Sequence, residues 1–206
     1  MNRSADKNRL SSSDLSAVIL AGGAGTRFGG KNKLQSLIGG ERIIDRVIET
    51  LTPVFDEIII VTNSSEEYSH LKHCQVTMDQ FKGAGPLGGI HAAMMLSVRK
   101  GLFVFAGDMP YLDGNLIREQ ISFAGNNASD AVIPEVKGDI EPLHGIYMNH
   151  LAGKIESRLS SGTDLSIRGF LKTIDVAFFR PEISDKVLRA FININYPGDT
   201  DKHNLC

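Results

Sequence analysis

Apolar residues fall in short unbroken runs that alternate with segments repeating every three or four positions. "SAVILA" (16–21) and "EIIIVT" (57–62) read as strands apolar on both faces, whereas "RIIDRVIETL" places Ile43, Ile44, Val47, Ile48 and Leu51 on one helical stripe. "CQVTM" is a weaker strand and "GIHAAMMLSV" a helix with little polar surface. "GLFVFAGD" is a further strand, with Phe103 and Phe105 alternating against Val104, and "NLIREQISFA" a helix. After about Asp130 the rhythm changes. "DAVIP", "IEPLHGIYM" and "VAFF" read as strands, "HLAGKIESRLSS" as a helix and "AFININYP" as a final strand or loop. Near-continuous apolar strands alternating with helices predict an α/β fold, a parallel sheet covered by helices on both faces.

In such a sheet, ligands collect beyond the carboxyl ends of the strands. Several loops with ligand-binding composition fall there: "LAGGAGTRFGGKNKL" after the first strand, "TNSS" after the second, "MDQFKGAGPLGG" after the third and "GDMP" after the fourth. The first is glycine-rich and carries Arg27, Lys31 and Lys33. It is not a Walker loop, because Asn32 stands where the magnesium-binding hydroxyl belongs. Nor is it a Rossmann turn, because Gly23 and Gly25 are followed by Phe28 where a small residue must let helix and strand approach. What remains is a loop with backbone N–H groups and cations for a polyphosphate, better suited to a nucleoside triphosphate than to a bound dinucleotide.

Composition narrows the partners. With 22 Lys+Arg against 24 Asp+Glu there is no basic surplus for a nucleic-acid backbone. No apolar run suits a signal peptide or a bilayer span. Cys74 and Cys206 lack metal-ligand spacing, so a cytosolic setting is expected. Residues 1–14 read as a frayed polar arm ahead of a single domain, 15–206.

The opening loop resembles the signature of nucleotidyltransferases, and with "GAGPLGGI", "GDMPYL", "EPLHGIY" and "FININYP" in that order the chain resembles the molybdenum cofactor guanylyltransferases from about Val18 to Pro197. The resemblance implies a three-layer α/β/α fold with a mostly parallel, Rossmann-like sheet of the nucleotide-diphospho-sugar-transferase type. It implies a nucleotide-binding half at about 15–130 and an acceptor-binding half at about 131–200. The implied reaction transfers GMP from GTP to molybdopterin and releases pyrophosphate, with Mg2+ as cofactor. Possible protein partners would deliver the cofactor or receive it as acceptor molybdoenzymes; no nucleic acid or membrane is implied.

Matched position by position, Leu20, Ala21, Gly22 and Gly23 would line the nucleotide site, and Lys33 would bind phosphate. Either Thr62 or Asn63 would contact the nucleoside, and so would Asp79. Asp108 would hold magnesium, and Asn193 and Asn195 would bind molybdopterin. Arg27, Lys33 and Asp108 form the expected catalytic set. Asp79 is open to two roles, accepting from the guanine edge or from a ribose hydroxyl, and Asp108 to a second as a helix cap. His91 is expected to be a helix residue without chemistry. Asn193 and Asn195, two apart on a strand, would share a face. Three departures stand out: Asn32 replaces a common aspartate, Tyr196 replaces a threonine, and His144 falls on the acceptor side. Two alternatives remain: a related transferase using CTP on molybdopterin or another nucleotide on a sugar or alcohol phosphate, and a non-catalytic nucleotide-binding or docking protein.

Overall fold

The computed structural model describes residues 9–22, 32–81 and 83–194. In chain order the elements are β1 (Leu15–Leu20), the pair β2 (Leu37–Ile38) and β3 (Glu41–Arg42), α1 (Ile43–Leu51), β4 (Ile58–Val61), β5 (Gln75–Thr77) and α2 (Pro86–Leu96). Then come β6 (Gly101–Ala106), α3 (Gly114–Ala124), β7 (Ala131–Val136), β8 (Asp139–Ile140), β9 (His144–Met148), α4 (Ala152–Ser161), α5 (Ile167–Leu171), β10 (Val176–Phe179) and α6 (Asp185–Ala190). The main sheet runs β10-β7-β9-β6-β1-β4-β5, with β8 paired to β7 off that path. Along the path, β9 is antiparallel to both neighbours and every other pairing is parallel.

Strand alternation divides the core into two layers. Ala17 and Ile19 of β1, with Phe103 and Phe105 of β6, face the stripe of α1 (Ile43, Ile44, Val47, Leu51) and the apolar side of α3. Val18, Ile59, Leu102 and Val104 face α2 and α4 on the other side. The three-layer, mostly parallel expectation holds. Because α2 lies between the sheet and α4, most of its length is buried, which is why its sequence shows no polar stripe.

The boundaries differ where local chemistry intervenes. Helix α2 starts at Pro86, earlier than the apolar run suggests, since proline's fixed φ suits the first helical position. The expected strand "IEPLHGIYM" is two strands: β8 returns against β7 through Lys137 and Gly138, both at positive φ, and β9 begins only after Pro142. "AFININYP" is no strand within its described part; Ala190 ends α6, and residues 192–194 have no ladder partner. The strand expected to carry Asn193 does not form over residues 192–194, and Asn195, the other half of the shared-face reading, lies outside the described residues. Of the predicted arm, residues 9–14 are described: Arg9 bonds the Asn126 side chain, and Ser12–Asp14 form a 3-10 turn.

Candidate active site

β1, β4, β5 and β6 run the same way, so their carboxyl ends share one rim, and hydrogen bonds continue past the strands to knit it. Ala21 N–H donates to Val61 O at 2.8 Å, Thr62 N–H to Thr77 O at 2.9 Å, and Gly107 N–H to Leu20 O at 3.1 Å. Leu20, Ala21, Gly22, Thr62, Asn63, Asp79 and Asp108 all lie on this rim or just beyond it. Lys33 joins them by a different route. It opens a 3-10 turn (Lys33–Gln35), and its ammonium pairs with the Asp108 carboxylate across 75 positions of sequence.

Two residues place that lysine. Asn32 caps the turn, its Oδ1 accepting from Leu34 N–H at 3.1 Å while its amide group donates to Tyr68 Oη at 2.8 Å and to the Glu67 carboxylate. An aspartate here could make the cap but not the two donations, and it would face Glu67 with like charge. The Asn32 departure is therefore matched to its surroundings. Gly107 is the second. A Cβ there would press on the Leu34 side chain and lie 3.0 Å from Leu20 O, so glycine lets the Lys33 turn and the Asp108 loop approach this closely without shifting Leu34.

Asp79 stands at the end of β5. Its Oδ1 accepts from Phe81 N–H at 2.8 Å, and a Cβ on Gly88 would lie 2.4 Å from its carboxylate. The second glycine of "GPLGG" thus leaves room for a carboxylate against the first turn of α2. Burial pushes the Asp79 carboxyl above its ordinary range, opposed by its own turn hydrogen bond and by His91. His91 is a buried residue of α2, edge-on to Phe81 at 5.4 Å, and its Nε2 has no hydrogen-bond partner among the described residues. Thr62 is buried, and its hydroxyl accepts from Ser64 N–H at 3.1 Å, whereas Asn63 is exposed.

Asp108 does not cap the following helix. Asp113 does, accepting from Asn115 and Leu116 N–H; an aspartate directly before "GNLIREQ" is the signal that locates this cap. Asn193 arrives from the far end of the chain, because Ile194 N–H donates to Asp108 O at 2.9 Å. His144 is corrected: it does not face an acceptor. It is fully buried among Phe103, Phe105 and Phe191, with Nδ1 3.1 Å from Gln120 Oε1, and burial drops its pKa to about 4. Gly23, Arg27 and Asn195 fall outside the described residues. The sequence reading missed Gly107 and the positioning work of Asn32 and Asp113.

Among the described residues no group of three or more His, Cys, Asp or Glu forms a metal cage. One hard carboxylate on a rim beside a lysine instead suits magnesium, which takes one or two carboxylates, substrate phosphates and retained waters. No helix among those residues is long and apolar enough to cross a membrane.

Parallel strands ending in a glycine-rich stretch, with lysine and aspartate from two loops brought together at the rim, define the chain as a nucleotidyltransferase of the α/β type. It belongs to the MobA-like NTP transferase domain family, whose profile matches residues 17–177. It is 32% identical over 195 residues to a probable molybdenum cofactor guanylyltransferase of Natranaerobius thermophilus, covering 92% of this chain and 94% of that one. It is 34% identical over 195 residues to the molybdenum cofactor guanylyltransferase of Desulfosudis oleivorans, covering 91% and 93%. Among solved structures, molybdopterin-guanine dinucleotide biosynthesis protein A of Archaeoglobus fulgidus is similar with a TM-score of 0.76 at 27% identity, covering 91% of this chain and 96% of that one.

Proposed function

We propose that this chain transfers GMP from GTP to molybdopterin and releases pyrophosphate. The observation that carries the reading is the Lys33–Asp108 pair, set on the strand-end rim of a chain similar over nearly its whole length to proteins named guanylyltransferases. An oxygen of the molybdopterin phosphate bonds to the α-phosphorus of GTP while the bond to the bridging oxygen breaks, and that electron pair leaves on pyrophosphate. The attacking phosphate is already ionised near neutral pH, so no general base is required. Catalysis then consists of positioning and charge neutralisation.

Asp108 would hold Mg2+, which supplies charge neutralisation at the phosphates. Lys33, and Arg27 from the glycine-rich stretch, stabilise the leaving pyrophosphate. Asn63 is the better nucleoside contact of its pair, because the Thr62 hydroxyl is engaged in its own turn. Asp79 accepts from the guanine edge or from the ribose. Asn193, tied through its neighbour to Asp108, opens the molybdopterin side together with Asn195. The reaction is placed in the cytosol, with delivery and acceptor proteins on either side of it.

Thermal shifts with GTP, CTP, UTP and ATP in magnesium, followed by pyrophosphate release with and without molybdopterin, test the proposal, since selective binding raises apparent stability. The expected result is selective stabilisation by GTP and release that depends on molybdopterin. Preference for CTP would move the reading to a cytidylyl transferase, and binding without turnover to a docking protein.

A further inference from the structure

We infer that Arg189 and Lys186 of α6 are positioning residues, which clamp the 108–113 loop so that Asp108 and Asn193 are held beside one another at the rim. The inference rests on the roles proposed above for Asp108 and Asn193. The guanidinium of Arg189 lies over the Tyr111 ring, 4.4 Å from its centroid. One turn earlier on the same face of α6, the Lys186 ammonium pairs with the Asp113 carboxylate, which also caps α3. Beyond the helix, Ile194 N–H donates to the carbonyl of Asp108 itself, and the Phe191 ring rests on buried His144 at 5.0 Å. The loop is thus gripped at its first residue, in its middle and at its end by one short segment.

Stability alone does not account for this arrangement. Ala190 and Ile194 are fully buried and anchor the segment by apolar contact. Lys186 and Arg189 are exposed, and exposed ion pairs typically contribute only about 0–1 kcal/mol. Their distinctive effect is on direction. With burial working against it, the Asp113 carboxyl is still held below its usual range by Lys186 and the α3 amides, so it stays charged and engaged at both of its partners. Fixing Tyr111 and Asp113 fixes the peptide of Asp108 between them and the Ile194 bond. A reacting group displaced by about 1 Å loses roughly a hundredfold in rate.

The test uses the full chain and the variants Arg189→Ala, Arg189→Lys and Lys186→Ala. Three quantities are measured: hydrogen exchange at the Ile194 amide by NMR, steady-state kcat and KM for each substrate, and melting temperature. For Arg189→Ala the expectation is Ile194 exchange faster by about tenfold and kcat/KM for molybdopterin lower by about tenfold. kcat/KM for GTP falls with it, because Asp108 would serve transfer from GTP as well, while melting stays within about 2 °C. Lys186→Ala gives a smaller change in the same direction, and Arg189→Lys, which keeps a cation over the ring, recovers most of the loss. Unchanged Ile194 exchange overturns the inference, as does faster exchange with unaltered acceptor kinetics. Losses that fall in step with melting temperature also overturn it. Wild-type protein without GTP-dependent transfer would defeat the functional reading, while Ile194 exchange in the variants would still decide whether the clamp exists.

Discussion

At the amino rim of the sheet the polar groups answer one another. Ser16 Oγ donates to Glu57 and lies 2.6 Å from Ser97 Oγ, Gln75 donates to the other Glu57 oxygen at 3.0 Å, and Arg99 N–H donates to Ser97 Oγ at 3.1 Å. At the carboxyl rim, Lys33 and Asp108 come from separate loops and keep 29% and 15% of their side chains open, while Asp79 lies against a glycine. The same apolar strands end in both. What separates them is that the amino-rim groups bond one another between neighbouring strand ends, whereas Lys33 and Asp108 reach each other from separate loops, and the proposed function gives that second rim to a polyanion.

The contrast can be broken or sharpened by experiment. Asp108→Asn should lower kcat by about a thousandfold while leaving the melting temperature nearly unchanged, because under the proposed function it removes the carboxylate that would hold Mg2+ at the phosphates and not one that holds the fold. A large loss of stability with retained turnover would erase the distinction between the rims.

His144 sharpens it, lying beneath the working rim yet having Gln120 as its partner, as an amino-rim group would. Its pKa is about 4 in the folded protein against an ordinary 6.5, so the unfolded chain takes up the proton first as pH falls. Stability from this residue is complete above about pH 6.5 and is lost toward pH 4, on the order of 3 kcal/mol. Urea unfolding across that range should show the loss, and His144→Leu should flatten its slope. A slope unchanged in the variant would assign the acid sensitivity elsewhere.

Lys33→Met should reduce kcat by about a hundredfold and weaken GTP binding, read by steady-state kinetics and calorimetry. The smallest effect belongs to the closed rim. Ser16→Ala should cost about 1–2 kcal/mol of unfolding free energy in denaturant and leave kcat and KM unchanged. Kinetic damage from that substitution would mean the two ends of β1 are not independent.

How much could be read from the chain follows the same division. β1, β4 and β6 were legible because burial on both faces leaves an uninterrupted apolar run, and the loops after them were legible because a parallel sheet puts its ligands there. Strand direction was not, since alternation in "HGIYM" is the same whichever way β9 runs. α5 and α6 are too short for a helical period to stand out, and the alternation that begins at Ile192 imitates a strand although residues 192–194 have no ladder partner. The pairing of Lys33 with Asp108 is a long-range contact that no local pattern carries; the family resemblance supplied both residues, and the fold brought them together. The clearance at Gly107 depends on Leu34 and Leu20 and is invisible in one dimension.

The hydrogen bonds of Ala21 and Asn32 anchor the chain independently on either side of the glycine-rich stretch, the first to β4 and the second to Tyr68 and Glu67. Lengthening or recomposing that stretch therefore need not shift the lysine that follows it. Under the proposed function, substitutions between those two anchors would change contacts to the triphosphate while the bolts at both ends stay in place.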